Sequence, residues 1–370
     1  MIQRLHATAM SRCFGVDGDQ RSGNKLNKFF LIAALPTALL GIWNIGFQTY
    51  AGMTSSGTSN LTGWQQALIT QSSMSEAGSI THFWLGLLYF IPLFVVSYAA
   101  CRSWDWLFAR LGNRSSDGGN LLVSFLFVLL LPATMPLGFA ILGISFGVIF
   151  GKLIFGGNGR YLVNPSLLGV VFLYYSYPRF FNGQESFLPI SGEITRSTWQ
   201  LLTDGGIQPV IDAGFNWMQV FVGAEIGAIG TTSALASLVG LLLLLALRSV
   251  SWRVPVGAIL GLLMASLLLD SATESAVWQI PWFWHLAVGS FAFSLAFIAT
   301  DPTVVPLSRG GALIYGGIFG FLTLIIRVAN PEHPEGTLLA LLLASLVAPL
   351  VDWLVIEVHR SSNKRRRRPA

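Results

Sequence analysis

The chain has 370 residues and a formal net charge of +5; 53% of its residues are hydrophobic and only 11% are charged. Ordinary soluble domains carry roughly 25% charged residues, so this composition excludes a water-soluble globule of the same size. Much of the excess positive charge collects in Lys364-Arg365-Arg366-Arg367-Arg368, which suits the anionic inner leaflet of a membrane rather than a nucleic acid.

Apolar stretches suited to a hydrocarbon core of roughly 30 Å recur about ten times. They cover residues 29–48, 83–100, 121–137, 139–154 and 165–177, then 221–247, 254–269, 283–299, 312–328 and 337–358. Several are short or contain a proline, which suits half-helices rather than straight rods. The expected organisation is a cytoplasmic segment 1–27, a first five-helix repeat 28–177 and an extracytoplasmic connection 178–220. A second five-helix repeat 221–358 and a basic cytoplasmic tail 359–370 follow. Residues 1–27 are polar and basic without an apolar core, so they do not read as a signal peptide.

Lys and Arg set the orientation. They lie before the first stretch (Arg21, Lys25, Lys28), between the second and third (Arg102, Arg110, Arg114), and between the fourth and fifth (Lys152, Arg160). They recur between the sixth and seventh (Arg248, Arg253) and the eighth and ninth (Arg309), whereas residues 51–82 and 270–282 contain neither type. Both termini are therefore expected in the cytoplasm, with Arg179, Arg196 and Arg327 as outer-side exceptions. Cys13 and Cys101 fall on the cytoplasmic side, where thiols stay reduced, and neither has metal-ligand spacing.

The two halves share ordered landmarks. Leu131-Pro132-Ala133-Thr134-Met135-Pro136 is followed by an apolar Gly-rich run and Val163-Asn164-Pro165; Asp301-Pro302-Thr303-Val304-Val305-Pro306 is followed by another such run and Ala329-Asn330-Pro331. Matching interrupted segments in two halves of a membrane protein point to a buried site at a repeat interface. Unpaired backbone amides cannot face lipid, so a broken helix persists only where protein or water covers it. With an odd number of crossings per half, the halves are inverted, and the two breaks enter from opposite sides. The expected fold is all-α and integral to the membrane, with about ten helices in two inverted five-helix repeats and proline-broken half-helices.

Candidate chemistry is sparse. No Gly-x-Gly-x-x-Gly turn between a strand and a helix, no Walker lysine, no Ser/His/Asp grouping and no zinc spacing occurs. Phe155-Gly156-Gly157-Asn158-Gly159-Arg160 reads as close backbone approach or a turn around a small ligand. Asp301 precedes the second break and Asp352 lies within the last stretch; each suits a cation path, since hard cations prefer oxygen ligands. Asp301 equally suits a helix cap beside proline, and Asp352 equally suits a position near the interface. Lys152 ends the fourth stretch, and His285, between Trp282 and Trp284, reads as an interfacial anchor.

These residues resemble a known family. Gly41-Ile42-Trp43-Asn44-Ile45-Gly46, Leu142-Gly143-Ile144-Ser145-Phe146-Gly147-Val148, Phe155-Gly156-Gly157 with Asn164-Pro165, and Ser251-Trp252-Arg253 carry the likeness. So do Ala299-Thr300-Asp301-Pro302, Ile326-Arg327-Val328-Ala329-Asn330-Pro331 and Pro334-Glu335-Gly336. The chain is similar, from Lys25 to Val358, to a family of membrane proteins. It includes the B-type subunits of the sodium-translocating NADH:quinone reductase and the D-type subunits of the Rnf ferredoxin:NAD oxidoreductase. The resemblance implies a multi-pass subunit of a respiratory complex in the bacterial inner membrane. Such a subunit passes electrons through flavin towards ubiquinone, coupled to Na⁺ translocation, beside other subunits, membrane lipid and quinone.

In that family FMN is esterified to a Thr in Ser-Gly-Ala-Thr; this chain has Ser191-Gly192-Glu193-Ile194-Thr195, which shifts the hydroxyl by one place to Thr195. Gly156, Gly157, Asn164 and Asn330 are the remaining positions the resemblance offers for holding FMN or riboflavin. Two family acids are replaced: Gly151-Lys152-Leu153 stands for Gly-Lys-Glu, and Gly230-Thr231 stands for Gly-Glu. The five-plus-five architecture also resembles that of urea and ammonium channels, which leaves a flavin-free permease as the alternative.

Overall fold

The computed structural model describes residues 20–55, 78–112, 118–157, 159–182, 198–223, 227–270, 280–330 and 336–366. No strand occurs among them. The first half contains α1 (Gln20–Ser55), α2 (Ser79–Leu111), α3 (Asn120–Leu129), α4 (Leu137–Val148) and α5 (Pro165–Ser176). The connection contains the short α6 (Arg179–Asn182), α7 (Thr198–Gly205), α8 (Gln208–Asp212) and α9 (Trp217–Val222). The second half contains α10 (Ala234–Ala246), α11 (Arg253–Asp270), α12 (Trp282–Ala287), α13 (Phe291–Ser294), α14 (Arg309–Ala329) and α15 (Gly336–Arg366).

Four stretches are helices long and apolar enough to cross a membrane: Lys25–Ala51, Ser79–Leu111, Arg309–Ala329 and Gly336–Ser361. Shorter apolar helices supply the rest of the bundle, among them Pro165–Ser176 and Ala234–Ala246. The outside is apolar: Trp84 is 65% exposed, Leu242 64% and Leu267 63%, positions that water covers unfavourably and a membrane interior suits. The interior is packed with Phe127, Tyr174, Phe291, Phe297 and Phe319. This is a multi-pass membrane protein.

Two expected stretches divide differently. Residues 221–247 are not one rod: α9 ends at Val222, and the next helix begins only at Ala234, with the Ser233 hydroxyl accepting from the amide of Ala236 at 3.2 Å. A serine cap costs less than continuing a helix through Gly227, Gly230 and Thr232. Residues 283–299 are likewise broken, α12 stopping before Gly289, whose φ of 71° no helix allows. α13 then runs into a wide, π-type turn over Leu295–Ala299.

Small residues let rods approach closely. A β-carbon on Gly320 of α14 would overlap the carbonyl oxygen of Ala258 in α11, and one on Gly257 would overlap that of Leu313. Such seams replace the hydrophobic effect, which lipid does not supply between helices. A second, smaller core joins the connection to the second half: Trp199, Leu202, Val210 and Val220 pack on Ile280, Trp284 and Val288. The Asn216–Gln219 capping box at the start of α9 (3.0 and 2.9 Å) and the bond from Trp217 Nε1 to the Phe283 carbonyl (3.1 Å) hold this layer in place.

Candidate functional site

Both proline elements interrupt their rods. The first break, residues 130–136, lies between α3 and α4; the second, residues 300–308, precedes α14. Each is covered by the opposite half. At the first, the amides of Ile229 and Gly230 donate to the carbonyls of Leu131 (3.1 Å) and Leu129 (2.6 Å). These bonds satisfy acceptors that a continuous helix would have used. Gly41 of α1 sits against the Ile229 carbonyl, where no β-carbon fits.

At the second break Asp301 is buried, 7% exposed. Its Oδ1 accepts from the amide of Thr303 (3.0 Å), closing the turn that follows. Its Oδ2 accepts from Tyr161 OH and Asn164 Nδ2, both at 2.9 Å. Asn164 caps α5 with its other end, Oδ1 accepting from the amide of Ser166 at 3.0 Å, and Pro165 fills the first helical position. One amide thus starts a helix of the first half and ties it to the break of the second.

Asp352 reaches the far end of the same break from α15, accepting from the amides of Leu307 (3.2 Å) and Ser308 (2.9 Å). There it completes the start of α14, where a carboxylate complements the helix dipole. The two aspartates singled out from sequence therefore flank one interruption: Asp301 closes the turn at its start rather than capping a helix, and Asp352 holds its far end, where Ser308 is the N-cap of α14. Among the described residues no group of three His, Cys, Asp or Glu side chains is placed to hold a metal ion.

Gly156 and Gly157 have φ of 109° and 103°, which favours glycine. They end the wide turn Ile149–Leu153 that extends α4, the Gly157 amide donating to the Lys152 carbonyl at 3.0 Å. Asn330 is exposed at the end of α14, its amide donating to the Ile326 carbonyl at 3.0 Å. The two Asn-Pro landmarks thus act differently, one opening a helix and the other following the end of one. Ser191, Gly192 and Thr195 lie outside the described residues. The nearest described helix after them, α7, carries Trp199, whose ring lies 5.3 Å from the Arg327 guanidinium.

His285 is not the surface anchor expected from its tryptophan neighbours: it is 1% exposed and 6.0 Å from the Trp199 ring. Its own carbonyl (3.1 Å) and that of Val288 (2.8 Å) accept from Arg327, which is fully buried. Arg327 thereby satisfies carbonyls left open where α12 ends.

A polar cluster in the first half was missed. Lys152 is fully buried, its Nζ donating to Asn120 Oδ1 at 2.7 Å, and Asn120 Nδ2 donates to Asp105 Oδ2 at 2.9 Å. The signal was present in Arg102 and Asp105, three residues apart on an apolar helix and 3.5 Å apart in space.

Residues 18–360 match the family model described as the NQR2, RnfD, RnfE family. A protein of Ectopseudomonas mendocina (strain ymp), named as the B-type subunit of Na(+)-translocating NADH-quinone reductase, is 36% identical over 347 residues, covering 92% of this chain and 86% of its own. Its namesake from Stutzerimonas stutzeri (strain A1501) is 36% identical over 349 residues, with the same coverage. A third, from Azotobacter vinelandii, is 35% identical over 349 residues, again covering 92% of this chain and 86% of its own. The chain belongs to the NQR2, RnfD, RnfE family.

Proposed function

We propose that this chain is the B-type membrane subunit of a sodium-translocating NADH:quinone reductase, carrying electrons through flavin towards quinone while a cation crosses the membrane. The observation that carries the reading is likeness across 92% of the chain to proteins named as that subunit. Those names favour the quinone reductase over the Rnf complex and over a flavin-free permease. The architecture proposed with it is ten crossings in two inverted repeats, both termini in the cytoplasm of a bacterial inner membrane.

FMN would attach through Thr195, which supplies the hydroxyl a phosphoester needs and lies outside the described residues; Arg327, already donating to the His285 and Val288 carbonyls, braces the layer that the residues after Thr195 enter. A bound flavin supplies one- and two-electron chemistry that no side chain here offers. The chain's own part is positional: Trp199, Trp284 and Val288 keep water from that layer, and Arg327 holds the end of α12 against α7. Riboflavin would take a further place near Gly156, Gly157 and Asn164; Asn330, at the other end of the 21-residue α14, lies too far from Asn164 to share it. Ubiquinone would enter at a membrane edge.

For the cation, Asp301 and Asp352 are the acids kept beside a break. Their capping bonds leave lone pairs on each carboxylate for a passing ion, and loss of the family acids at Leu153 and Thr231 leaves the path more dependent on them. The test is the whole complex, co-expressed with its flavin transferase in a host lacking its own copy. Denaturing gels should show a flavin-fluorescent band at this subunit that Thr195→Ala removes, and NADH-driven quinone reduction should require the subunit. Undiminished quinone reduction without this chain would overturn the assignment.

A further inference from the structure

Apart from the two aspartates, the second break borders a cavity of about 580 Å³. It is a half-open cleft lined by the start of α1, the turn between α10 and α11, the break itself and the first residues of α14. Four of its lining side chains are basic, Lys25, Arg248, Arg253 and Arg309, and none is acidic. Sequence separates these cations by more than 280 residues, between Lys25 and Arg309, yet the fold brings them to one opening. Asp352 lies behind the wall with its carboxylate committed to the amides of Leu307 and Ser308. The start of α14 is therefore already capped, and an anion in the cavity would be held by side chains.

A second observation concerns Arg248. Its φ is 54°, and it is the one non-glycine residue with positive φ among the described residues. It follows α10 in the place where a helix terminus favours glycine: its amide donates to the Leu245 carbonyl and that of Ser249 to the Leu244 carbonyl, both at 3.0 Å. A left-handed arginine is strained where glycine is not, and such strain tends to persist at ligand clamps. Arg248 lies on the cavity wall and is exposed.

The lining is also greasy. Phe29 and Val305 form part of it, and Leu247 and Leu307, 43% and 38% exposed, carry it out to the lipid-facing surface. Guanidinium groups match phosphate oxygens in paired hydrogen bonds, and basic pockets between membrane helices accept lipid headgroups. We propose that this cavity binds the phosphodiester headgroup of an anionic phospholipid, with Arg248, Arg253, Arg309 and Lys25 around the phosphate and the acyl chains leaving past Leu247 and Leu307. This site stands apart from the covalent flavin proposed at Thr195 and lies on the other side of the second break's lining from the Asn164–Asp301 tie, so a lipid there and a riboflavin near Asn164 share that break.

Native mass spectrometry of the full chain in mild detergent tests it, with phosphatidylglycerol, phosphatidylcholine of the same chains, and inorganic phosphate as probes. Phosphatidylglycerol should be retained at least tenfold more tightly than phosphatidylcholine. Arg248→Gly and Arg253→Gln should each weaken it about fivefold. Arg110→Gln, an exposed charge outside the cavity, should leave retention unchanged. Arg248→Gly should also keep or raise the unfolding temperature, because glycine accepts the positive φ; lost lipid with an intact fold therefore separates binding from folding. Equal weakening by Arg110→Gln, or no preference over phosphatidylcholine, would overturn the proposal. Inorganic phosphate bound through the same arginines as tightly as the lipid would overturn it too, by removing any part for the acyl chains.

Discussion

Replacing Asn164 separates two jobs that the structure gives to one amide. Its Oδ1 caps α5 and its Nδ2 donates to Asp301 across the halves. Losing a cap costs about 1 kcal/mol, and losing a hydrogen bond to a charged group costs about 2 kcal/mol. Asn164→Ala should therefore cost about 3 kcal/mol, taking the two as additive. Asn164→Ser keeps a capping oxygen but is too short to reach Asp301, so it should cost about 2 kcal/mol. Asn164→Asp keeps the cap but sets a second carboxyl against Asp301, so one of the pair takes up a proton and the cost falls as pH is lowered. For a chain this size 1 kcal/mol corresponds to about 2 °C. Thermal unfolding of the purified chain, followed by circular dichroism at a fixed scan rate, should fall by about 4 °C for Ser and about 6 °C for Ala. Equal falls for Ser and Ala would refute the division of roles, and no fall in any variant would refute the tie itself.

Further outcomes follow from the other buried polar contacts. Asp301→Asn and Asp352→Asn should each lower sodium-stimulated quinone reduction by the complex, and unchanged sodium dependence in both would remove these carboxylates from the path. Asn120→Ala takes away the acceptor of the buried Lys152 ammonium and should destabilise the chain by about 3 kcal/mol; adding Lys152→Met should recover part of that loss in denaturant titrations. No recovery would mean that Lys152 does not depend on Asn120. Gly320→Ala should cost about 2 kcal/mol in the same titrations, because the new methyl meets the Ala258 carbonyl across a tight seam; a neutral result would contradict the packing of α11 on α14. Arg327→Gln should make α7 and α9 exchange amide hydrogens faster, since the carbonyls of His285 and Val288 lose their buried donor; unchanged exchange would separate that layer from Arg327.

The long rods were legible because apolar residues dominate α1, α2, α14 and α15 over lengths that cross a membrane, and Pro36, Pro92 and Pro349 leave their helices continuous. The breaks were legible where proline made them, at Pro132 to Pro136 and Pro302 to Pro306. Those made by glycine and by capping hydroxyls were not: apolar content continues through Gly289 and through Gly230, so hydropathy bridges gaps that backbone geometry opens. Asp301 reads as a helix cap since it precedes proline, but it closes a turn at Thr303 and the helix after the break starts from Ser308. Its partners Tyr161 and Asn164, 140 and 137 residues away, were set by tertiary packing that local pattern does not encode. His285 was misplaced for a related reason. Tryptophans on either side suggest an interface, but Arg327 and Trp199 close over the ring from distant parts of the chain.

The opposed orientation of the two halves is tested most directly by thiol labelling of the breaks. Thr134 and Thr303 are half-buried, one in each break. With Cys13→Ser and Cys101→Ser as background, Thr134→Cys and Thr303→Cys would be treated with a membrane-impermeant maleimide in right-side-out and inverted vesicles. The inverted arrangement predicts that Thr134→Cys reacts from the outer side and Thr303→Cys from the cytoplasmic side. Labelling of both from one side would contradict it.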